Sequence, residues 1–481
     1  MATLSYSQAV RKSLEKSKER EKEEEREKEK EREKEKEREK EEEREKEKER
    51  EKEKEREKEE EREKVLYSKG CVAESINFVV GKASKEVIDL DFHEKFSRYL
   101  ATILARDNEV VAVWLRILQG RCEIYLSKNS DWLDKDVEYV DNITKYLKNI
   151  SKNAPEISED SEVAFLEAMT SYCSTKLNDR MTKLKDTIKI YHKNEYVKYF
   201  EDFYLARVAE VGNTNNKKII MMSGVCKEYY VDFKNNLHIP TKFLEHIKKV
   251  ASHMVSAVGI VECARNIQYK SLFSNVQVFK GRPVIINNQP IYSWKNIIKR
   301  FIDEDKYKRF MDGCSKKPEV MNRISKVYTD NTTKQQQPLD GDDIKQRIYL
   351  HAEMNILASL IIEKKLNVND NNRVFIAVSK DCCYLCGLYI DFMIKQGYNI
   401  AIYGKHMKLY SKWILPHVKN NDFKAGSLEY ILDHLDRIIK QKLNHDDTES
   451  LPASPDSPGN SPIVMAAICI NTCIISFEPR K

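Results

Sequence analysis

The sequence predicts an α/β fold in which a mixed sheet is flanked by helices. One observation is that apolar residues recur every three to four positions between Leu350 and Ile361, which is typical of a helix. A second is the uninterrupted apolar run 374–378, which indicates a strand buried on both faces. A third is a helical segment, 385–396, followed by a strand-like segment, 399–403. Together the last two observations predict a strand–helix–strand crossover whose two strands are parallel.

Changes in composition divide the 481 residues into four parts. Residues 1–64 are a charged Glu, Lys and Arg segment, expected to be disordered or a solvated helix. Residues 65–270 have apolar residues at helical spacing and are expected to form a mainly helical domain without a recognisable role. Residues 271–445 contain the α/β elements. Residues 446–481 are expected to be a disordered linker rich in Pro and Ser, followed by a short apolar tail.

The charged segment is built from a repeated unit. Residues 21–38 recur unchanged as residues 39–56, and the unit begins again at Glu57. Acidic and basic residues alternate, so that residues four positions apart mostly carry the same charge and the stabilising pairs largely cancel. There is also no apolar seam, which excludes a coiled coil. We therefore expect a low-complexity segment that is surrounded by solvent.

Two stretches before His351 carry further predictions. The apolar runs 276–279 and 284–286 are separated by a Gly and a Pro, which predicts a hairpin that supplies the first two strands of the sheet. Residues 294–310 mix basic and aromatic residues, a pattern that suits single-stranded nucleic acid if the rings are exposed. An amphipathic helix with buried rings and extended Lys and Arg side chains explains the same pattern.

The overall composition restricts the class of protein. The balance of 84 Lys and Arg against 78 Asp and Glu is mildly basic, so that it permits nucleic-acid binding without requiring it. The 11 cysteines are mostly isolated, which favours reduced thiols over a disulfide framework. The N-terminus lacks the apolar core of a signal peptide, and no apolar run reaches the about 20 residues of a transmembrane helix. We expect a cytoplasmic or nuclear protein without membrane contact.

The residues with the clearest chemistry lie between 351 and 386. His351 begins one predicted helix, while Cys383 and Cys386 begin the next, with the buried strand between them. One imidazole and two thiolates are three of the four ligands of a tetrahedral zinc, which leaves the fourth position for water. Glu353 lies two residues after the imidazole and can act as general acid and base on that water. The sequence thus predicts a zinc site at His351, Cys383 and Cys386, with Glu353 as the catalytic residue.

Other interpretations of the cysteines remain open. A Cys-x-x-Cys pair also occurs in redox sites and as half of a structural zinc site. A structural site needs four protein ligands, and Cys382 is the nearest further candidate. Because successive side chains of an extended segment face opposite sides, we expect Cys382 to point away from the metal ligands.

The motifs between His351 and Pro416 resemble the cytidine-deaminase-like superfamily, and in particular a deaminase-like branch of fungi and intracellular bacteria. That branch has a His-Ala-Glu helix, matched by 351–353, and a Ser-Lys-x-Cys-Cys-x-x-Cys motif, matched by 379–386. It also has a Gly-x-His-x-Lys-x-Tyr…Trp…Pro stretch, matched by 404–416. The resemblance is therefore carried by three motifs in the same order.

The resemblance implies a deaminase fold over roughly residues 270–445. It also implies that zinc is held by His351, Cys383 and Cys386 and that Glu353 shuttles protons. Deaminases of the superfamily usually have Pro before the first Cys of this motif, whereas this chain has Cys382. The identity of the substrate is therefore not carried over with the motif.

Four further residues of the motifs, Lys380, His406, Tyr410 and Trp413, are candidates for substrate contact, although ordinary packing explains them equally well. The predicted function is zinc-dependent hydrolytic deamination of a nucleobase, either in a free nucleotide or in RNA or DNA. One alternative is a non-catalytic deaminase-like interaction protein in which zinc is structural. The other is a nucleic-acid-binding module, which requires the 294–310 stretch to be exposed.

Overall fold

A computed structural model of the chain describes residues 6–81, 90–156, 159–208, 215–329, 338–341, 344–363, 365–368, 372–418 and 421–445. The predicted linker and apolar tail at 446–481 lie outside these residues. Within the described ranges, no helix is long and apolar enough to cross a membrane. By its internal contacts the chain divides into two units, Met1–Val65 and Leu66–Lys481, and each is described by itself.

The described residues form fifteen α-helices and seven strands. The helices are α1 Tyr6–Ile76, α2 Phe92–Leu104, α3 Asp134–Asn153, α4 Glu159–Tyr172, α5 Ser174–Tyr191, α6 Glu195–Val208, α7 Asn215–Phe233, α8 Thr241–Arg265, α9 Lys270–Ser274, α10 Trp294–Ile298, α11 Glu304–Ser315, α12 Pro318–Val327, α13 Ala352–Ile362, α14 Tyr384–Lys395 and α15 Asn421–His445. The strands are β1 Val111–Leu118, β2 Arg121–Lys128, β3 Val276–Lys280, β4 Ile285–Ile291, β5 Ile344–Tyr349, β6 Val374–Val378 and β7 Ile400–Ile402.

The charged repeat lies within helix α1. Side chains from residue 40 to residue 58 are exposed, as expected for a solvated helix. Its ion pairs, such as Lys46 with Glu42 at 4.0 Å, join side chains that are mostly exposed and therefore contribute little stability. Of the two sequence-based alternatives for this segment, the solvated helix agrees with the structure, and the disordered one is not confirmed.

Five strands form one mixed sheet in the order β3-β2-β1-β6-β7. Strands β1 and β2 are an antiparallel hairpin whose turn includes Gly120, at a positive φ of 74°. Strand β6 is antiparallel to β1 and parallel to β7, with helix α14 between β6 and β7 in the chain. The predicted α/β fold and the parallel crossover are therefore confirmed. Helix α14 is followed by Gly397 in a left-handed conformation, φ 89°, which lets the chain turn back toward β7.

The predicted hairpin at 276–286 is wrong. Strand β3 is parallel to β2 at the edge of the large sheet, whereas β4 is antiparallel to β5 in a separate two-stranded sheet. The strand that pairs with β6 on this side is β1, and β1 and its partner β2 come from 111–128, within the region that was expected to be helical. The first residues of β1 are all buried, so the run lacks the alternation that marks a half-buried strand. Strands from both sides of residue 270 thus belong to one sheet.

The large sheet separates two hydrophobic cores. Alternate residues of β6 enter different cores: Ile376 packs with helices α13 and α14, whereas Phe375 packs with helices α2, α3 and α8. Strand β1 alternates in the same way at Trp114 and Val113. Each central strand is therefore covered on both faces, which explains its continuous apolar sequence.

Candidate metal centre

Two helices begin at the predicted metal ligands. His351 is the N-cap residue of α13, two residues after the end of strand β5, and Cys383 is the N-cap residue of α14, shortly after strand β6. The Cys383 sulfur accepts a hydrogen bond from the Cys386 N–H at 3.4 Å, which holds the first turn of α14 around it. Free N–H groups and the positive end of the helix dipole at such positions favour thiolate and other negative charge.

The three predicted ligands lie together. The Nδ1 atom of His351 is 3.5 Å from the Cys383 sulfur and 3.2 Å from the Cys386 sulfur. All three donor atoms lie within 4.8 Å of one another. Two ligands of a tetrahedral zinc, each about 2.0–2.3 Å from the ion, are about 3.5 Å apart. The donor set and its spacing therefore fit zinc without rearrangement of the backbone.

Two polar atoms beside this group have no partner among the described residues. They are Nε2 of His351 and Oε2 of Glu353, and both are buried. The Glu353 side chain is only 3% exposed, and burial raises the pKa of its carboxyl group. Buried polar atoms are normally satisfied, so a pair of unsatisfied ones at a metal-fitting site indicates a place for a ligand or a reacting group.

The electrostatics of the group favour one thiolate in particular. Burial alone would raise the pKa of Cys383, but a hydrogen bond from Cys386 and the neighbouring His351 lower it well below its ordinary value. Burial alone would lower the pKa of His351, but the neighbouring Cys383 thiolate outweighs this effect and raises the pKa above its ordinary value. The Cys383 thiolate and the His351 imidazolium therefore stabilise each other in the absence of a metal. When a metal binds, the imidazolium must release its proton, and so must the thiol of Cys386, whose pKa is raised by burial.

The expectation that Cys382 points away is wrong. Its sulfur lies within 4.8 Å of donor atoms of Cys386 and Glu353, which makes a second potential metal-binding group. The local backbone explains this orientation: Cys382 N–H donates to the Gly404 carbonyl at 2.9 Å, and the Cys382 carbonyl accepts from the His406 N–H at 3.0 Å. Burial raises the pKa of Cys382 to about 11, so it is the less favourable thiolate of the two adjacent cysteines.

The four predicted substrate residues lie in different surroundings. His406 and Tyr410 lie on the segment after β7 beside the cysteine motif, with ring centroids 5.6 Å apart, and Tyr410 is 37% exposed. Trp413 is only 1% exposed and packs in the core of this face of the sheet. Lys380 is directed toward the loop after α2, where its Nζ donates to the carbonyl of Asn108. Substrate contact by these residues stays a prediction.

The basic and aromatic stretch 294–310 does not offer its rings to solvent. Trp294, Tyr307 and Phe310 are all buried, with exposed fractions of 0%, 9% and 7%. The rings pack in the core that contains α13 and α14. The amphipathic interpretation therefore agrees with the structure, and the exposure that a nucleic-acid-binding module required of these rings is absent.

Sequence reasoning missed Tyr349. Its ring stacks on the ring of His351, with centroids 5.3 Å apart and planes inclined by 29°. Tyr349 also lines a cavity of about 690 Å³ whose other walls are largely polar and include Arg106, Asn108 and Arg347. A volume of about 300–1,000 Å³ is usual for a small-molecule site. The signal that could have identified Tyr349 is the alternation along β5: Gln346 and Ile348 are buried, whereas Tyr349 is on the opposite side of the strand and is only half-buried.

A mixed sheet covered by helices on both faces, with a His/Cys/Cys group at two helix starts, is the arrangement of a deaminase-like protein. Residues 350–417 match the family model described as “OTT_1508_deam:-like deaminase”. This match includes all three motifs and confirms the deaminase-like resemblance for this part of the chain. No curated protein matches the chain, and no solved structure matches it.

Proposed function

We propose that the protein is a zinc-dependent hydrolytic deaminase of a nucleobase, either in a free nucleotide or in nucleic acid. The observation that carries the proposal is the position of the Glu353 carboxyl group. It is buried, and its Oε2 atom has no hydrogen-bond partner, beside a His351, Cys383 and Cys386 group whose spacing fits zinc. A purely structural zinc site has no use for an unpartnered buried carboxyl oxygen, which costs free energy.

The residues of the chain divide the chemistry between them. A bound zinc supplies a Lewis acid that lowers the pKa of a water molecule to about 7. Glu353 supplies the proton transfer, because burial raises the pKa of its carboxyl group and thereby makes it a better proton acceptor than an exposed carboxylate. Proton delivery to the ring nitrogen and then to the amino group allows ammonia to leave. The carboxyl group therefore acts first as a base and then as an acid.

Tyr349 and the cavity support a ring-shaped substrate. An aromatic ring that already stacks on His351 offers a flat surface for a base, and stacking on an aromatic ring tolerates any base. The cavity walls combine apolar residues, such as Leu133 and Ile285, with polar ones, such as Asn129 and Ser130. The same proposal places the protein in the cytoplasm or nucleus, where cysteines such as Cys173 and Cys226 stay reduced.

The decisive experiment is the Glu353→Gln substitution in zinc-loaded protein. Nucleosides, nucleotides and oligonucleotides are screened for ammonia release and base conversion. Loss of the proton carrier is expected to lower the rate by about 10²–10⁴-fold. Glu363→Gln, at the other end of α13, is the matched control, because Glu363 pairs with Lys365 far from the ligands in sequence. Its rate should match that of the wild type.

The second candidate is a non-catalytic protein with a structural zinc. The second donor group, formed by Glu353, Cys382 and Cys386, favours it, because Glu353 would then be a metal ligand. The same variant separates the two functions. If Glu353→Gln releases zinc, or if no substrate in the screen gives Glu353-dependent ammonia, the deaminase proposal is wrong and the structural role is favoured.

A further inference from the structure

Three basic side chains gather at one end of helix α5. Lys176 and Arg180 are four residues apart on that helix and thus lie on the same side of it. Lys380 follows strand β6 and precedes the cysteine motif by three residues. These three residues, called here the cation cluster, come from segments that are 200 residues apart in the chain.

The loop after α2 brings the cluster together. The Lys176 Nζ donates to the carbonyl of Ala105 at 3.0 Å, and the Lys380 Nζ donates to the carbonyl of Asn108 at 2.5 Å. Both acceptors belong to the same short connection between α2 and β1. Arg180 is held by the carbonyl of Lys249 at 2.7 Å. All three cations are therefore fixed by neutral backbone carbonyls.

The cluster has no ion-paired carboxylate among the described residues, although the charge of Glu109 is close enough to raise the pKa of Lys176 and Lys380. Among the described residues, no carboxylate forms an ion pair with Lys176, Arg180 or Lys380. The carboxylates on the nearby loop, Asp107 and Glu109, already contact Arg106 at 2.7 and 3.8 Å. They are therefore committed to another cation.

Packing like charges together costs free energy. Burial and the charges of Arg180 and Lys380 together lower the pKa of Lys176 to about 8. Burial lowers the pKa of Lys380 as well, and the charge of Arg180 is the second cause of that lowering. A bound anion would remove this repulsion and supply the missing partner.

We propose that Lys176, Arg180 and Lys380 form a phosphate-binding site. A guanidinium group and two ammonium groups supply several donors, which suits a tetrahedral anion with several acceptor oxygens. Asn108, whose carbonyl accepts from Lys380, also lines the cavity whose wall includes Tyr349, the residue that stacks on His351. A phosphate at the cluster would therefore lie beside the same cavity. The link to a base in that cavity rests on the proposed deaminase function, whereas phosphate binding does not.

The phosphate could belong to a nucleic-acid backbone or to a single nucleotide, and the probes distinguish the two. Binding of fluorescein-labelled oligodeoxythymidylate and oligouridylate, about 12 nucleotides long, is measured by fluorescence anisotropy over a range of salt concentrations. Inorganic phosphate and a mononucleotide are the competitors. Competition by the mononucleotide at micromolar concentration indicates a nucleotide site, and binding of the oligonucleotides alone indicates a backbone site.

Two neutral substitutions test the cluster itself. Lys176→Gln and Lys380→Gln are each expected to weaken binding about tenfold, the equivalent of one charge-assisted hydrogen bond. Each should also reduce the salt dependence of binding by about 0.7 in the logarithmic slope. Arg180 is left unchanged, because its Nη1 also lies 2.9 Å from Nδ1 of the buried His253. Lys185→Gln, at an exposed position of α5, is the matched control.

The outcomes are separable from those of the deaminase test. The Glu353→Gln protein can be used for every binding measurement, so that catalysis does not change the probe. If the wild type binds neither probe, or if Lys176→Gln and Lys380→Gln bind with the affinity and salt dependence of Lys185→Gln, the phosphate site is wrong. Selective weakening by the two cluster substitutions supports it, whatever the deaminase screen finds.

Discussion

Two groups of buried polar side chains, one on each face of the five-stranded sheet, differ in how completely they are hydrogen-bonded. On the face covered by α13 and α14, Glu353 and His351 each keep a buried polar atom without a partner. On the face covered by α2, α3 and α8, Lys128 and Asp136 are fully buried and bound to each other at 2.7 Å. The Glu353 and His351 side chains thus keep unused hydrogen-bonding atoms, whereas the Lys128–Asp136 pair has used its own. Single unpartnered atoms, such as the Tyr139 hydroxyl, also occur on the second face.

The difference teaches how to separate functional from structural polar groups. Asp136 accepts hydrogen bonds from Lys128, Arg106, Tyr172 and the Leu133 N–H, so every acceptor site has a donor. Such saturation joins α3 to strand β2 and serves the fold. The unpartnered atoms of Glu353 and His351 cost stability, and a bound ligand or a reacting group at the candidate metal centre would account for both of them.

The largest effect on folding is expected from Asp136→Asn. The substitution leaves the Lys128 ammonium buried without its closest counter-charge, and breaking such a pair costs about 3–5 kcal/mol. Urea unfolding of the wild type and the variant measures the difference. Asp131→Asn, an exposed neighbour, is the control, and its effect should stay within about 0.5 kcal/mol.

The same variant has a pH signature. Burial would raise the pKa of Asp136, but hydrogen bonds from Lys128 and the Leu133 N–H lower it. Because the pKa is lowered on folding, the stabilisation is complete above the ordinary Asp value of about 3.9 and is lost as pH falls through the lowered value. The wild type should therefore lose its advantage over Asp136→Asn in acid. An advantage that is constant down to strongly acidic pH would contradict the ionic origin.

On the metal-centre face, the adjacent cysteines are expected to behave differently. Cys383→Ser removes a ligand and should weaken zinc binding by more than about 100-fold, beyond the 10–100-fold that loss of a second-sphere partner costs. Cys382→Ser removes the thiol whose pKa is raised, and we expect it to keep the zinc. Competition with a graded series of chelators measures both affinities.

The result also distinguishes the two donor groups that share Cys386. If Cys382→Ser loses zinc while Cys383→Ser keeps it, the ion belongs to the group with Glu353, and Glu353 is no longer free to carry protons. Equal loss in both variants would indicate a closed site with four protein ligands. Only the expected result, in which Cys383→Ser weakens zinc binding and Cys382→Ser does not, leaves Glu353 free to carry protons and preserves the contrast with the Lys128–Asp136 pair.

The metal centre was predictable from the sequence because its parts are local. His351 and Glu353 lie in one helix start, and Cys383 and Cys386 lie in another, so spacing alone places each pair. The buried strand 374–378 between them orients the two helices against the same sheet. The start of a helix after a strand can be recognised from the local spacing of apolar residues.

The parts of the structure that the sequence did not predict depend on pairings between distant segments of the chain. The antiparallel partner of β6 is β1, more than 250 residues earlier, and nothing in either strand specifies that distance. The orientation of Cys382 was missed for the same reason, because its backbone is fixed by Gly404 rather than by its neighbours. Alternation along the chain predicts which face a side chain occupies only where no distant strand or loop imposes another geometry.

The smallest effect is expected from Trp413→Phe, which tests whether every unpartnered polar atom on the metal-centre face marks a ligand. The Trp413 Nε1 is buried without a partner among the described residues, yet the ring is 1% exposed and packs in the apolar core. Phe removes a buried N–H that costs about 1–3 kcal/mol, and the smaller ring gives up a comparable amount of packing. The free energy of unfolding should therefore change by less than about 1 kcal/mol, with zinc affinity and the KM for any deaminated substrate unchanged. A several-fold rise in KM at unchanged stability would instead place the indole in the substrate pocket, and the unpartnered nitrogen would join the carboxyl group of Glu353 as a ligand contact.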